Sequence, residues 1–119
     1  MPVRSSTSSV LRWPDAATVC RAVRDWAARE LAQRPGLLRL GYFGSYARGD
    51  AGVGSDLDLV AVIEDSSLPF HRRGTEWRLE TLPVPAEIVV YTRDEWNEIE
   101  GRTDRFARTM ASEAIWLHN

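Results

Sequence analysis

Lysine is absent from this chain of 119 residues, and all 15 of its basic residues are arginines. Mechanisms that need a lysine are therefore excluded, among them Schiff-base formation, a lysine general base and the lysine of Walker-type phosphate loops. Codon bias is an ordinary cause of such a composition, but the exclusion holds whatever the cause.

Cysteine and long hydrophobic runs are also scarce. Cys20 is the single cysteine, so no internal disulfide can form, and we expect a reducing, cytoplasmic environment. The longest strongly apolar run, Leu59–Ile63, is far shorter than the ~20 residues of a membrane-spanning helix, and the N-terminal stretch lacks the apolar segment of a signal peptide. We therefore expect no membrane association.

Excess positive charge is missing as well, because the formal net charge is −2 and the isoelectric point is about 5.7. A protein that holds a nucleic-acid backbone by itself carries a basic surface, so autonomous nucleic-acid binding is not expected. Hydrophobic residues make up 44% of the chain, which is enough for one modest core. We predict a flexible N-terminal tail over residues 1–12 and a single domain over residues 13–119.

Short apolar segments separated by glycine, proline and polar residues predict alternating helices and strands, and hence an α/β (α+β) fold. The predicted strands are Leu37–Phe43, Asp56–Glu64, Glu76–Leu82 and Val84–Thr92. The predicted helices are Asp15–Arg34, a short helix opened by the capping box Thr92–Glu95, and Asp104–Met110, whereas Ala114–Leu117 fits either a helix or a strand.

The segment 65–75, between two predicted strands, is polar and is predicted to be a loop. Arg72 and Arg73 within it, and Arg78 nearby, are predicted to be solvated. Contact with an acidic partner or a nucleotide is the alternative for these arginines.

Two aspartates, Asp56 and Asp58, open the most apolar predicted strand. Residues i and i+2 of a strand point to the same face, a little under ~7 Å apart, and adjacent carboxylates repel each other. A cation between them would remove the cost, and oxygen ligands at this spacing suit Mg²⁺. The alternative is that both aspartates end a strand in solvent.

Gly44 and Ser45 directly follow the predicted strand Leu37–Phe43, and a helix is predicted to start at Tyr46. Free backbone N–H groups, a serine hydroxyl and the start of a helix are the components of a phosphate site. Arg48, one turn further on, could add a charge-assisted contact to a phosphate. An ordinary turn is the alternative.

Together these segments read GSYARGDAGVGSDLDL, in which Gly44-Ser45 and Asp56-x-Asp58 are separated by ten residues. This pattern resembles the nucleotidyltransferase superfamily that includes polymerase beta, and most of all its small stand-alone members, the minimal nucleotidyltransferases. The resemblance covers roughly residues 15–117 and implies a small mixed sheet with helices packed on it. It also implies a third carboxylate on a later strand; Glu87 is the residue placed for that role, where the family usually has aspartate.

The resemblance further implies a mechanism. Asp56, Asp58 and Glu87 would hold two Mg²⁺ ions that clamp the triphosphate of ATP or another NTP and activate an attacking hydroxyl. Glu87 could also accept the proton of that hydroxyl. Gly44, Ser45 and Arg48 would bind the phosphates. The product is a nucleoside monophosphate joined to the acceptor.

The acceptor is a separate question, because the chain is too short to include the helical acceptor domain that related small-molecule transferases carry. Minimal nucleotidyltransferases are often paired with a small helical HEPN protein, which implies transfer of AMP from ATP to a hydroxyl of such a partner, with this chain as antitoxin. One alternative is a catalytically weak or inactive antitoxin that neutralises its partner by binding. Another is one subunit of an antibiotic-type, small-molecule nucleotidyltransferase. A homo- or hetero-oligomer is compatible with each hypothesis.

Overall fold

The computed structural model describes residues 13–119 and begins with one long helix. Helix α1, Ala16–Gln33, starts where the Asp15 side chain accepts the Thr18 N–H, and it ends just before Pro35, as predicted. The predicted tail, residues 1–12, lies outside the described residues, so the division into tail and domain stays a prediction. None of the helices described has the length and apolar character needed to cross a membrane.

Within residues 13–119, four strands form one mixed sheet in the order β3-β2-β1-β4, which confirms the predicted fold class. Strand β1 pairs antiparallel with β2 and with β4, and β2 pairs parallel with β3. The strands are β1 (Leu37–Phe43), β2 (Leu57–Ile63), β3 (Ala86–Thr92) and β4 (Ile115–His118). The remaining α-helices are α2 (Ser45–Arg48), α3 (Arg93–Glu100) and α4 (Arg105–Glu113). The C-terminal segment, for which the sequence left two alternatives, is thus a strand.

The sheet is covered on both faces, as the apolar character of β2 predicts. Leu57, Leu59 and Ala61 of β2 belong to the core that includes α1. Val60 and Val62 point to the opposite face and belong to a second core, which includes residues of α3 and α4. Asp58 has the same parity as Val60, so its side chain lies on the α3–α4 face, at the start of β2.

The predicted strand Glu76–Leu82 is wrong. The connection from β2 to β3 instead contains two 3₁₀ helices, Phe70–Glu76 and Leu79–Thr81. Trp77 and Leu82 are buried in the α1 core, and the Trp26 indole N–H donates to the Arg78 carbonyl at 3.1 Å. The apolar residues that suggested a strand therefore pack into the core with α1, and backbone groups of this segment form hydrogen bonds in local turns.

The prediction that Arg73 is exposed to solvent is also wrong, although Arg72 and Arg78 are exposed as predicted. The Arg73 side chain is 9% exposed and forms two bonds to the Glu95 carboxylate, with N–O distances of 2.6 and 3.2 Å. It also donates to the carbonyls of Leu68 and Val90. Glu95 in turn completes the capping box of α3 with Thr92, so this ion pair joins the β2–β3 connection to α3.

Candidate functional site

The site is built where β1 ends and where β2 and β3 begin. Asp58 pairs across β2 and β3 with Glu87, and across β1 and β2 with Phe43. Side chains of paired residues lie on the same face, and adjacent strands are ~4.8 Å apart. The sheet register therefore brings Asp58 and Glu87 side by side, although 28 positions separate them in the sequence.

Asp56 was predicted to be the first residue of the strand, but β2 starts at Leu57, so Asp56 lies just before it. Its side chain is exposed, whereas that of Asp58 is half-buried. Leu57 donates its N–H to the Pro85 carbonyl, so pairing with the segment before β3 begins immediately after Asp56. Asp56 is thus at the solvent edge of the site and Asp58 is further inside.

Gly44 brings the predicted phosphate turn close to the Asp58 carboxylate. Its backbone has φ +80° and ψ −155°, a region that only glycine adopts readily. A Cβ at this position would overlap Oδ2 of Asp58 and lie 3.2 Å from its Cγ. Gly44 is therefore required both by its own conformation and by the close approach of Asp58.

The turn continues into α2, a single helical turn that ends at Gly49 in the left-handed conformation. So short a helix has little dipole. The N–H of Gly44, which was predicted to bind phosphate, already donates to Glu113 Oε2, so a phosphate would be held by the Ser45 hydroxyl and Arg48. The Arg48 side chain is 49% exposed; its Nε lies 3.2 Å from Asp50 Oδ2 and its Nη1 3.4 Å from Glu113 Oε1. Both carboxylates raise the pKa of Arg48 above its usual value.

Glu113, the last residue of α4, is a site residue that the sequence did not reveal. Its Oε2 accepts the Gly44 N–H at 2.7 Å, and its side chain is only 14% exposed. No local pattern marks this glutamate, which resembles any polar residue at the end of an amphipathic helix. Only the position of α4 against the end of β1 brings it to Gly44 and Arg48.

The electrostatics of the site favour a bound cation. Burial, followed by the negative charges of Glu87 and Asp56, raises the pKa of Asp58 above its usual range, and Arg48 only partly opposes this. The oxygen donors of these three carboxylates are of the type that Mg²⁺ prefers. Within residues 13–119, however, no group of three or more potential ligands is already arranged as a metal site. The donor chemistry fits Mg²⁺, and side-chain rearrangement would be needed to bind it.

Comparisons with known proteins identify the family and the fold. Residues 24–117 match the family model described as a nucleotidyltransferase domain. The fold resembles that of a Sulfolobus solfataricus protein assigned provisionally as a nucleotidyltransferase, with a TM-score of 0.60, 17% identity and coverage of 85% of this chain and 80% of that one. It also resembles a chain from a toxin-antitoxin structure with AMP-PNP, with a TM-score of 0.54, 15% identity and coverage of 79% and 71%. No curated protein matches the sequence. At these identities the two solved structures show the fold alone.

Proposed function

Since the chain belongs to the nucleotidyltransferase domain family, we propose that it moves AMP from ATP to a hydroxyl of a partner protein, in a reaction that depends on Mg²⁺. The observation that carries this proposal is the convergence of Asp58, Glu87 and Gly44. Asp58 and Glu87 pair on adjacent strands, and the Asp58 carboxylate lies close to Gly44, at the start of the turn whose serine hydroxyl and arginine suit phosphates. Reactive phosphate and metal would therefore meet at one place.

In this proposal Asp56, Asp58 and Glu87 hold the metal ions. Mg²⁺ bound by these carboxylates would supply positive charge that neutralises the triphosphate, favours ionisation of the attacking hydroxyl and stabilises the leaving pyrophosphate. Asp58 is half-buried beside Glu87, so its negative charge is less solvated than that of Asp56. A bound cation would therefore stabilise the ionised Asp58 more than the ionised Asp56. Glu87 is exposed and can accept the proton of the acceptor hydroxyl.

The phosphates are assigned to the turn. Ser45 and Arg48 donate to phosphate oxygens and hold the triphosphate in line with the attacking hydroxyl. A charge-assisted contact from Arg48 is the strongest of these because guanidinium and phosphate are both ionised. The positive charge of Arg48 also offsets part of the negative charge that Asp56, Asp58 and Glu87 bring to the site.

For the acceptor we propose a small helical protein of the HEPN type, with this chain acting as its antitoxin in the cytoplasm. The exposed position of Asp56 and Glu87 leaves the site open to a macromolecular acceptor. The fold similarity to a chain of a toxin-antitoxin structure with AMP-PNP supports this choice.

The test is transfer of label from ATP to the product of the adjacent gene. With Mg²⁺ and ATP labelled at the α-phosphate, we expect the partner to become labelled, whereas ATP labelled at the γ-phosphate gives no label. The double variant Asp56→Asn/Asp58→Asn should transfer nothing, and Asp25→Asn, an exposed aspartate of α1, should transfer like wild type. Label from the γ-phosphate would show phosphoryl transfer and refute the proposal.

A second candidate function is an antitoxin that neutralises its partner by binding alone. Two observations favour it: residues 13–119 contain no ready-made metal cluster, and Glu87 stands where an aspartate was expected. In that case the partner stays unlabelled, and the double variant still binds and neutralises it. Label on an added small alcohol such as an aminoglycoside, but not on the partner, would instead favour a subunit of a small-molecule transferase.

A further inference from the structure

We propose that Glu113 is a positioning residue that holds the phosphate-binding turn and Arg48 in their working geometry; this inference rests on the proposed function. The two oxygens of one carboxylate bridge two separate parts of the turn. Oε2 accepts the Gly44 N–H at 2.7 Å, and Oε1 lies 3.4 Å from Arg48 Nη1. Gly44 opens the turn and Arg48 ends helix α2, so Glu113 spans its full length.

The bridge is effective because Glu113 is itself well fixed. It ends α4, whose first turn is capped by the Asp104 side chain and whose Ala107 and Met110 are buried in the second core. The next residues form β4, which pairs with β1. A carboxylate anchored on both sides, and only 14% exposed, loses little conformational entropy when it holds Gly44 and Arg48.

The bridge also leaves Arg48 able to bind. Asp50 lies on Nε and Glu113 on Nη1, and among residues 13–119 no acceptor lies on Nη2. Two carboxylates thus orient the guanidinium group of a half-exposed side chain, while one nitrogen keeps its donors for a phosphate oxygen. Without Glu113, Arg48 would keep only the exposed contact with Asp50, and the Gly44 N–H would lose its acceptor.

The experiment compares Glu113→Ala and Glu113→Gln with wild type in binding α,β-methylene-ATP, which cannot transfer its nucleotide, in the presence of Mg²⁺. In Glu113→Ala we expect the affinity for the analogue to be about tenfold weaker. In the transfer reaction, the KM for ATP should be about tenfold higher, with a smaller change in kcat. Glu113→Gln should fall between, because its amide oxygen still accepts the Gly44 N–H but carries no charge for Arg48. The matched control is Glu100→Ala, at the end of α3, which removes the ion pair with Arg39 of β1 and should bind like wild type.

A double-mutant cycle separates positioning from general stability. In an Arg48→Ala background, Glu113→Gln should have little further effect on nucleotide affinity, because the partner that it orients is gone. A purely structural role would lower the melting temperature equally in both backgrounds and leave KM unchanged. If Glu113→Ala does not fold, Glu113→Gln and the cycle decide the question.

The outcomes distinguish this inference from the proposed function. Wild-type protein that binds no nucleotide would overturn the proposed function. Wild-type binding with unchanged affinity in both Glu113 variants would overturn the positioning role alone. Tighter binding by Glu113→Gln would also overturn it, because Glu113 would then compete with phosphate for Gly44 and Arg48.

Discussion

Replacement of Gly44 by alanine tests the contact that joins the phosphate turn to the carboxylates. The φ of +80° and ψ of −155° at this position cost an L-residue about 1–3 kcal/mol. The new Cβ would overlap Oδ2 of Asp58, and moving that side chain off its rotamer costs about 0.5–1.5 kcal/mol. We therefore expect Gly44→Ala to lower the free energy of unfolding by about 1.5–4.5 kcal/mol.

Gly49→Ala is the matched control, because Gly49 also has a positive φ, +87°, but a Cβ there would meet no atom within 4 Å. It should cost only the left-handed backbone conformation, about 1–2 kcal/mol. Urea unfolding followed by tryptophan fluorescence and circular dichroism measures both variants. The difference between them combines the contact with Asp58 and the different ψ values of the two glycines, −155° at Gly44 and 14° at Gly49.

The contact can be isolated further in an Asp58→Ala background. The overlapping oxygen is then absent, and the built Cβ of Gly44→Ala lies 3.5 Å from the remaining Cβ of residue 58, an ordinary contact distance. Gly44→Ala should cost about 1 kcal/mol less in this background than in wild type. Equal costs of Gly44→Ala in both backgrounds would refute the inferred approach of Asp58 to the turn.

Three further predictions follow from charged groups. Asp58→Asn should abolish nucleotide transfer yet raise the melting temperature at neutral pH, because burial and neighbouring carboxylates destabilise the ionised form; a lower melting temperature would contradict this. Arg73→Ala should destabilise by about 2–4 kcal/mol because it leaves the Leu68 and Val90 carbonyls without their donor and removes the ion pair with Glu95, whereas Arg78→Ala, at an exposed pair, should change stability by less than ~0.5 kcal/mol in urea unfolding. Bonding to Arg73 lowers the pKa of Glu95. The stabilisation that this ion pair gives the folded protein is therefore complete above the usual glutamate pKa and is lost as the pH falls through the lowered value. Melting temperatures recorded from neutral pH down to about 3 should fall more in wild type than in Arg73→Ala, in which the hydrogen bonds with Thr92 still favour the ionised Glu95.

Much of the fold could be predicted because its signals are local. The Asp15 cap and Pro35 bound α1, the apolar run of β1 has the predicted limits, and the Thr92–Glu95 capping box opens α3. Each signal depends on residues within one or two turns of the chain. The strand prediction for residues 76–82 was wrong for the same reason. It considered only the local pattern and not the core with α1 into which Trp77 packs.

The sequence by itself determined the chemistry available at the site, namely the Gly44-Ser45 turn, Arg48 and the carboxylates of Asp56, Asp58 and Glu87. Only the tertiary structure decided how those groups meet. The parallel register of β2 and β3 sets Glu87 beside Asp58, and the packing of α4 brings Glu113 to Gly44. Such contacts join residues far apart along the chain, and their free energy depends on strand pairing and core packing, which leave no local pattern by which the sequence could reveal them.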